Sequence, residues 1–228
     1  MGFLQRAFRD IGLAEMPQSQ FARLTEDELE IHLRIRRYGS FELTDAVRPS
    51  YDLQVMPSEG YRHDEYRHPE TRTCTPVLMA AVTNTREKLF EVFMSLLDPL
   101  GKTVDVILET SHAGDRNGHT DVYREHIDLP VLKSILWEYE QLLTHDGCTG
   151  IAVRNPSIPE ELQFDEHKML IVYGKNLDRY ERLLESLRVQ CREEMKFITE
   201  AEHVHSSSDE YARQFEELAV RLGMDREW

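Results

Sequence analysis

The sequence predicts an α+β fold: a ferredoxin-like βαββαβ core over residues 103–204, with an extra β-α unit before it and a helix after it. The first observation behind this is the stretch FDEHKMLIVYGKN, Phe164–Asn176, whose middle, Met169–Tyr173, is an unbroken apolar run closed by Gly174. Such a run suits a strand buried on both faces better than a helix. The second is a matching apolar strand at Thr103–Thr110. In a βαββαβ order these two occupy the central first and third places, and the shorter, more polar strands become edges. The third is the alternation of strands with helical faces, which also fits the alternative, a doubly wound α/β sheet.

Taken in order, Phe3, Leu4, Ala7, Phe8 and Ile11 predict a short amphipathic helix over 3–13. Residues 25–39 carry mixed signals. Leu29, Ile31, Leu33 and Ile35 alternate like a strand, while a Thr25/Glu28 capping box, late arginines and Gly39 favour a helix. The helix is the reading adopted. Thr44–Thr73 shows no sustained period and reads as a long polar loop, within which Tyr61-Arg62-His63 recurs as Tyr66-Arg67-His68. Val77–Val82 is a strand, and a helix follows with Leu89, Phe90, Phe93, Leu96 and Leu97 on one face, ended by Pro99 and Gly101.

After the strand at 103–110, Ser111–Asp128 reads as a polar loop, and Asp128 caps a helix faced by Leu132, Ile135, Leu136, Tyr139, Leu142 and Leu143. Gly150–Val153 is a short strand, joined by a Pro-bearing connection to the strand at 169–173. The next helix shows Leu177, Tyr180, Leu183, Leu184, Leu187 and Cys191 on one face. Met195–Ala201 reads as a strand, and Ser207 with Glu210 opens a last helix. Two domains are expected: an extension with helix and loop at 1–73, and the sandwich at 74–228.

The chain has 228 residues and a formal net charge of -15, which argues against a broad nucleic-acid footprint. No apolar run approaches the ~20 residues that a membrane span needs, and no signal peptide is evident at the N-terminus. Three widely spaced cysteines, Cys74, Cys148 and Cys191, argue against a disulfide framework and for a reducing, cytoplasmic compartment. Gly101-Lys102-Thr103 has the tail of a phosphate-binding loop without its first glycine, and it enters a strand rather than a helix.

Histidines and acids gather at three places: His112–Asp128, with Asp115, His119, Asp121 and His126; Asp165-Glu166-His167; and Glu202-His203-Val204-His205. On a strand, His203 and His205 share one face at a spacing of about 7 Å, close enough to share a metal ion. ILETSH at 107–112 and ITEAEH at 198–203 follow similar courses, which would set His112 and His203 at comparable strand ends. Two functional expectations result. One is a non-catalytic binding or assembly module, acting through a protein partner or a second copy of itself. The other is a metal-assisted hydrolase in which His112, His203 and His205 hold a divalent ion such as zinc, with Glu202 or Asp115 as base. Cys148 beside His145 reads as a small buried residue rather than a reactive thiol.

Overall fold

The computed structural model describes residues 19–112 and 120–224. The strands are β1 Arg37–Tyr38, β2 Phe41–Glu42, β3 Val47–Pro49, β4 Gly60–Arg67, β5 Cys74–Ala81, β6 Thr103–Thr110, β7 Thr120–Asp128, β8 Thr149–Arg154, β9 Glu161–Phe164, β10 Met169–Tyr173 and β11 His203–His205. The α-helices are α1 Glu26–Leu33, α2 Lys88–Leu96, α3 Leu129–Glu138, α4 Glu140–His145, α5 Asp178–Ser186 and α6 Asp209–Arg221. The class is α+β. Its centre is a seven-stranded sheet in the order β4-β5-β10-β9-β8-β6-β7, antiparallel at every pairing. β3 and β11 form a separate antiparallel pair, as do β1 and β2.

This order differs from the expected βαββαβ core. β6 and β10 are interior strands as expected, but β8 and β9 lie between them, and the sheet has none of the parallel pairs that a doubly wound fold requires. Stretches read as loops hold strands: β3 and β4 lie in 44–73, β7 in 111–128, and β9 in the connection before β10. β7 escapes notice because a bulge opposite Val104–Val106 puts its alternation out of phase, with His126 at φ 54° and its N–H held by Asp105 Oδ1 at 2.9 Å. β4 is a polar edge strand that pairs along its whole length with β5 and so joins residues on both sides of position 73. Its two tyrosines point to opposite faces: Tyr61 enters the helix-covered core and Tyr66 the second face.

Conversely, 195–201 is not a strand. Met195 and Phe197 alternate inward, yet they fill the second sheet face, and the backbone turns into a 3-10 helix at Ile198–Glu200. The capping box of α1 forms as read, with Thr25 Oγ1 accepting from Glu28 N–H and Glu28 accepting from Thr25 N–H. The proposed helix at 3–13 lies outside the described residues. Among the described residues no helix is long and apolar enough to cross a membrane.

β10 shows why one strand organises the rest. Leu170 and Val172 point into the main core with Phe93, Phe164 and Tyr180, while Met169, Ile171 and Tyr173 pack on the other face with Val77, Met79 and Phe197. Toward β8 and β9 that second face turns polar. Glu161, only 8% exposed, accepts from Gln163 Nε2 at 2.6 Å. Burial raises its carboxyl pKa despite the Gln163 bond and the charge of Arg154.

A carboxyl whose folded pKa exceeds its unfolded one binds its proton more tightly in the fold. Stability is therefore lost as pH rises from about 4.3, the ordinary Glu value, through the raised folded value. Glu161→Gln keeps an acceptor for Gln163 and removes this slope. Urea unfolding at pH 4 and pH 8 should show the variant gaining stability relative to the parent as pH rises. A loss at pH 8 would mean that the ionised carboxylate is stabilised by the fold.

Candidate metal centre

Three separately placed segments meet at one end of the sheet. The first is the hairpin turn Asp165–Lys168 between β9 and β10. Asp165 closes it by accepting from Met169 N–H through Oδ1 at 2.8 Å, and its carbonyl accepts from Lys168 N–H at 3.0 Å. Lys168 sits at φ 64°, a left-handed conformation unusual for a lysine, and is held there by its buried Nζ, which donates to Thr149 O at 2.8 Å. The second segment is β11, held by β3. The buried Arg48 anchors β3: its guanidinium donates to the carbonyls of Leu33 at 2.9 Å, Val47 at 2.8 Å and Thr44, and pairs with Asp45. The third is Asp146-Gly147-Cys148, between α4 and β8. Gly147 N–H donates to Ser206 O at 2.8 Å, and Ser206 N–H to Ala46 O at 2.9 Å, which ties this turn to both β11 and β3.

His167, His203 and His205 come together here. Their ring centroids are 4.8, 4.8 and 5.1 Å apart, and one ring nitrogen of each lies within 4.8 Å of the others. Every Nδ1 is already engaged: with Asp165 Oδ2 at 2.9 Å for His167, Ala201 O at 2.8 Å for His203, and Gly147 O at 2.7 Å for His205. A carbonyl or carboxylate only accepts, so each Nδ1 carries the hydrogen and Nε2 is the nitrogen left for a ligand. This is the outer-shell arrangement that orients metal-binding imidazoles.

The charges fit the same use. Burial lowers the pKa of His203, with the neighbouring imidazoles adding to the effect against the Ala201 hydrogen bond, and presses His205 down to about 4. Both rings are therefore neutral at pH 7, the form that ligates. Burial alone would lower His167 too, but the charge of Asp165 outweighs it and the net shift is upward. Burial would raise Asp165, yet the charge and N–H of His167, the Met169 N–H and Lys168 together bring it below the usual range. Burial takes Lys168 down to about 8 against nearby carboxylates.

Of the residues singled out from sequence, His203 and His205 meet on β11 as their spacing implied. The third ring beside them is His167, while His112 lies against Asp146, its Nε2 3.0 Å from Oδ2. Glu202 accepts from Ser19 Oγ with one oxygen and from Gln20 N–H at 3.1 Å with the other, so it serves as a tether. Asp115 and His119 lie outside the described residues. His167 was visible in sequence inside Asp165-Glu166-His167, but nothing local shows that its turn lands beside β11.

A further group, His63, Cys191 and Glu193, is exposed, and both nitrogens of His63 are committed to Glu193 and Glu181 at 2.5 and 2.9 Å. It is an ion-pair cluster rather than an open ligand set. No protein-family model, curated protein or solved structure matches the chain.

Proposed function

We propose that this chain is a divalent-metal protein whose centre is His167, His203 and His205, and that its activity is metal-assisted hydrolysis. The observation that carries the reading is the hydrogen bond on each of the three Nδ1 atoms, which leaves the three Nε2 atoms for one ion, His167 giving up its second proton on binding. Three imidazoles with no fourth side chain grouped with them among the described residues match a zinc-class ion that keeps a position for water. Such an ion lowers the pKa of bound water toward neutrality and supplies a nucleophile. The protein's part is to fix the rings: Asp165 orients His167, and the carbonyls of Ala201 and Gly147 orient the other two. The free thiols of Cys74, Cys148 and Cys191 agree with a reducing, cytoplasmic setting.

A second reading is favoured by the cavity lined by His167, Lys168, Phe41, Leu89 and Phe197, which measures about 30 Å³. That is room for water and little more. On this reading the ion stitches β11 to the β9–β10 turn in a non-catalytic binding or assembly module, which acts through a partner or a second copy of the chain.

Calorimetric zinc titration of tag-free protein is the test. His203→Ala/His205→Ala should lose one bound equivalent while stability falls by no more than about 2 kcal/mol, the net worth of the two carbonyl hydrogen bonds. Several kcal/mol lost with zinc binding unchanged would make these histidines structural. Asp165→Asn should weaken zinc by about 10–100-fold, because its amide keeps an acceptor for Met169 N–H but no longer fixes the His167 tautomer. Zinc-dependent turnover of 4-nitrophenyl acetate, lost in the double variant, supports hydrolysis. Zinc binding without turnover, together with self-association by sedimentation, supports the module.

A further inference from the structure

Beside the three-histidine centre lies a second set of donors that it does not use. His112, at the exit of β6, is set by Thr110: Oγ1 lies 2.6 Å from Nδ1 and accepts from the His112 N–H at 3.2 Å. The His112 ring also rests edge-on against Phe215. Its Nε2 has no properly directed hydrogen bond, although Asp146 Oδ2 is 3.0 Å away.

Asp146 is wholly buried. Thr149 Oγ1 donates to its Oδ2 at 2.5 Å, and His112 and Ser207 are the carboxylate's other side-chain neighbours, yet Oδ1 has no well-directed hydrogen bond. A buried carboxylate oxygen without a well-directed hydrogen bond is costly. Cys148, half-buried with a free thiol, completes the group: one donor atom each from His112, Asp146 and Cys148 lies within 4.8 Å of the others.

We propose that His112, Asp146 and Cys148 form a second site for a divalent transition-metal ion of the zinc or cobalt class. One imidazole, one carboxylate and one thiolate make a borderline-soft set suited to such ions. The two anionic donors offset the charge of the ion, with the buried Lys168 ammonium close by. The ion meets both unserved atoms, and Thr110 takes the outer-shell place on Nδ1. On binding, the Cys148 thiol gives up its proton to solvent.

The site is joined to the first through one residue. Gly147 stands between Asp146 and Cys148, and its carbonyl is the acceptor that orients His205. The second site does not require the first to hold metal, and the two fail separately.

Cobalt titration of the reduced, tag-free full chain separates them, because only a thiolate ligand gives a thiolate-to-cobalt charge-transfer band in the near ultraviolet. The parent should take up about two equivalents and show the band. Cys148→Ser should lose the band and one equivalent. Cys191→Ser, at the exposed cluster, should keep both. His203→Ala/His205→Ala should keep the band and lose the other equivalent, and uptake unchanged by that variant would count against the three-histidine centre alone.

Absence of the band in the parent, its survival in Cys148→Ser or its loss in Cys191→Ser would overturn the second site. Zinc protection gives a check that needs no variant. Alkylation of Cys148 by iodoacetamide, mapped by mass spectrometry, should slow at least about tenfold with zinc, while Cys74 is unaffected. Equal rates would contradict the proposal.

Discussion

Leu170→Asp is expected to abolish folding. Leu170 is fully buried in β10, paired with Ala80 of β5 and Phe164 of β9, and its side chain enters the main core. An aspartate there has neither a cationic partner nor water, and an isolated buried charge costs several kcal/mol even after the structure relaxes. That is comparable with the whole stability of an ordinary domain, about 5–15 kcal/mol. The variant should accumulate as insoluble protein or lack a cooperative thermal transition by circular dichroism. A soluble variant with the parental Tm would show that β10 is not central.

Gly147→Ala is the second large effect, and it acts on both stability and site. A Cβ built at Gly147 overlaps the carbonyl oxygen of Ala46 and comes within 2.9 Å of Ser206 O and 3.0 Å of Ser206 N. All three are backbone atoms, so relief requires the 146–148 turn to move away from β3 and β11. The steric cost should be about 2 kcal/mol, within the usual range for overpacking. The displaced Gly147 carbonyl would no longer orient His205, so zinc binding should fall by about 10–100-fold, as for other outer-shell changes. Chemical denaturation with zinc titration reads both effects. Full zinc affinity in a destabilised variant would separate the turn from the centre.

The sequence carries the buried strands, the capping box of α1 and the pair on β11, because these are encoded by residues close together; Asp128 makes no side-chain cap bond to α3, and α6 is capped by Ser208 rather than Ser207. Met169–Tyr173 declares itself by composition, Thr25 and Glu28 by spacing, and His203 with His205 by the period of two. The edges are harder. β4 and β7 are polar because an edge strand must be, and the β7 bulge at His126 breaks the alternation that would have exposed it. β9 presents Glu161 and Gln163 to a polar part of the second face, so half of its short length looks like connection.

The missed sheet order explains the missed ligand. With residues 154–168 reading as a connection, nothing local marks Asp165–Lys168 as a hairpin turn or sets His167 near β11. The separation of His112 from His203 and His205 is likewise a matter of topology. Its place beside Asp146 depends on how the α4–β8 turn packs, and no local pattern reports that.

The central claim is that three imidazoles from β11 and the β9–β10 turn share one ion, and anomalous diffraction at the zinc edge from crystals grown with zinc tests it most directly. The account predicts a peak about 2.0–2.1 Å from Nε2 of His167, His203 and His205, with Nδ1 of each still hydrogen-bonded to Asp165, Ala201 O and Gly147 O. No peak at that position in zinc-saturated crystals, or histidine rings turned so that Nε2 atoms diverge, would contradict it.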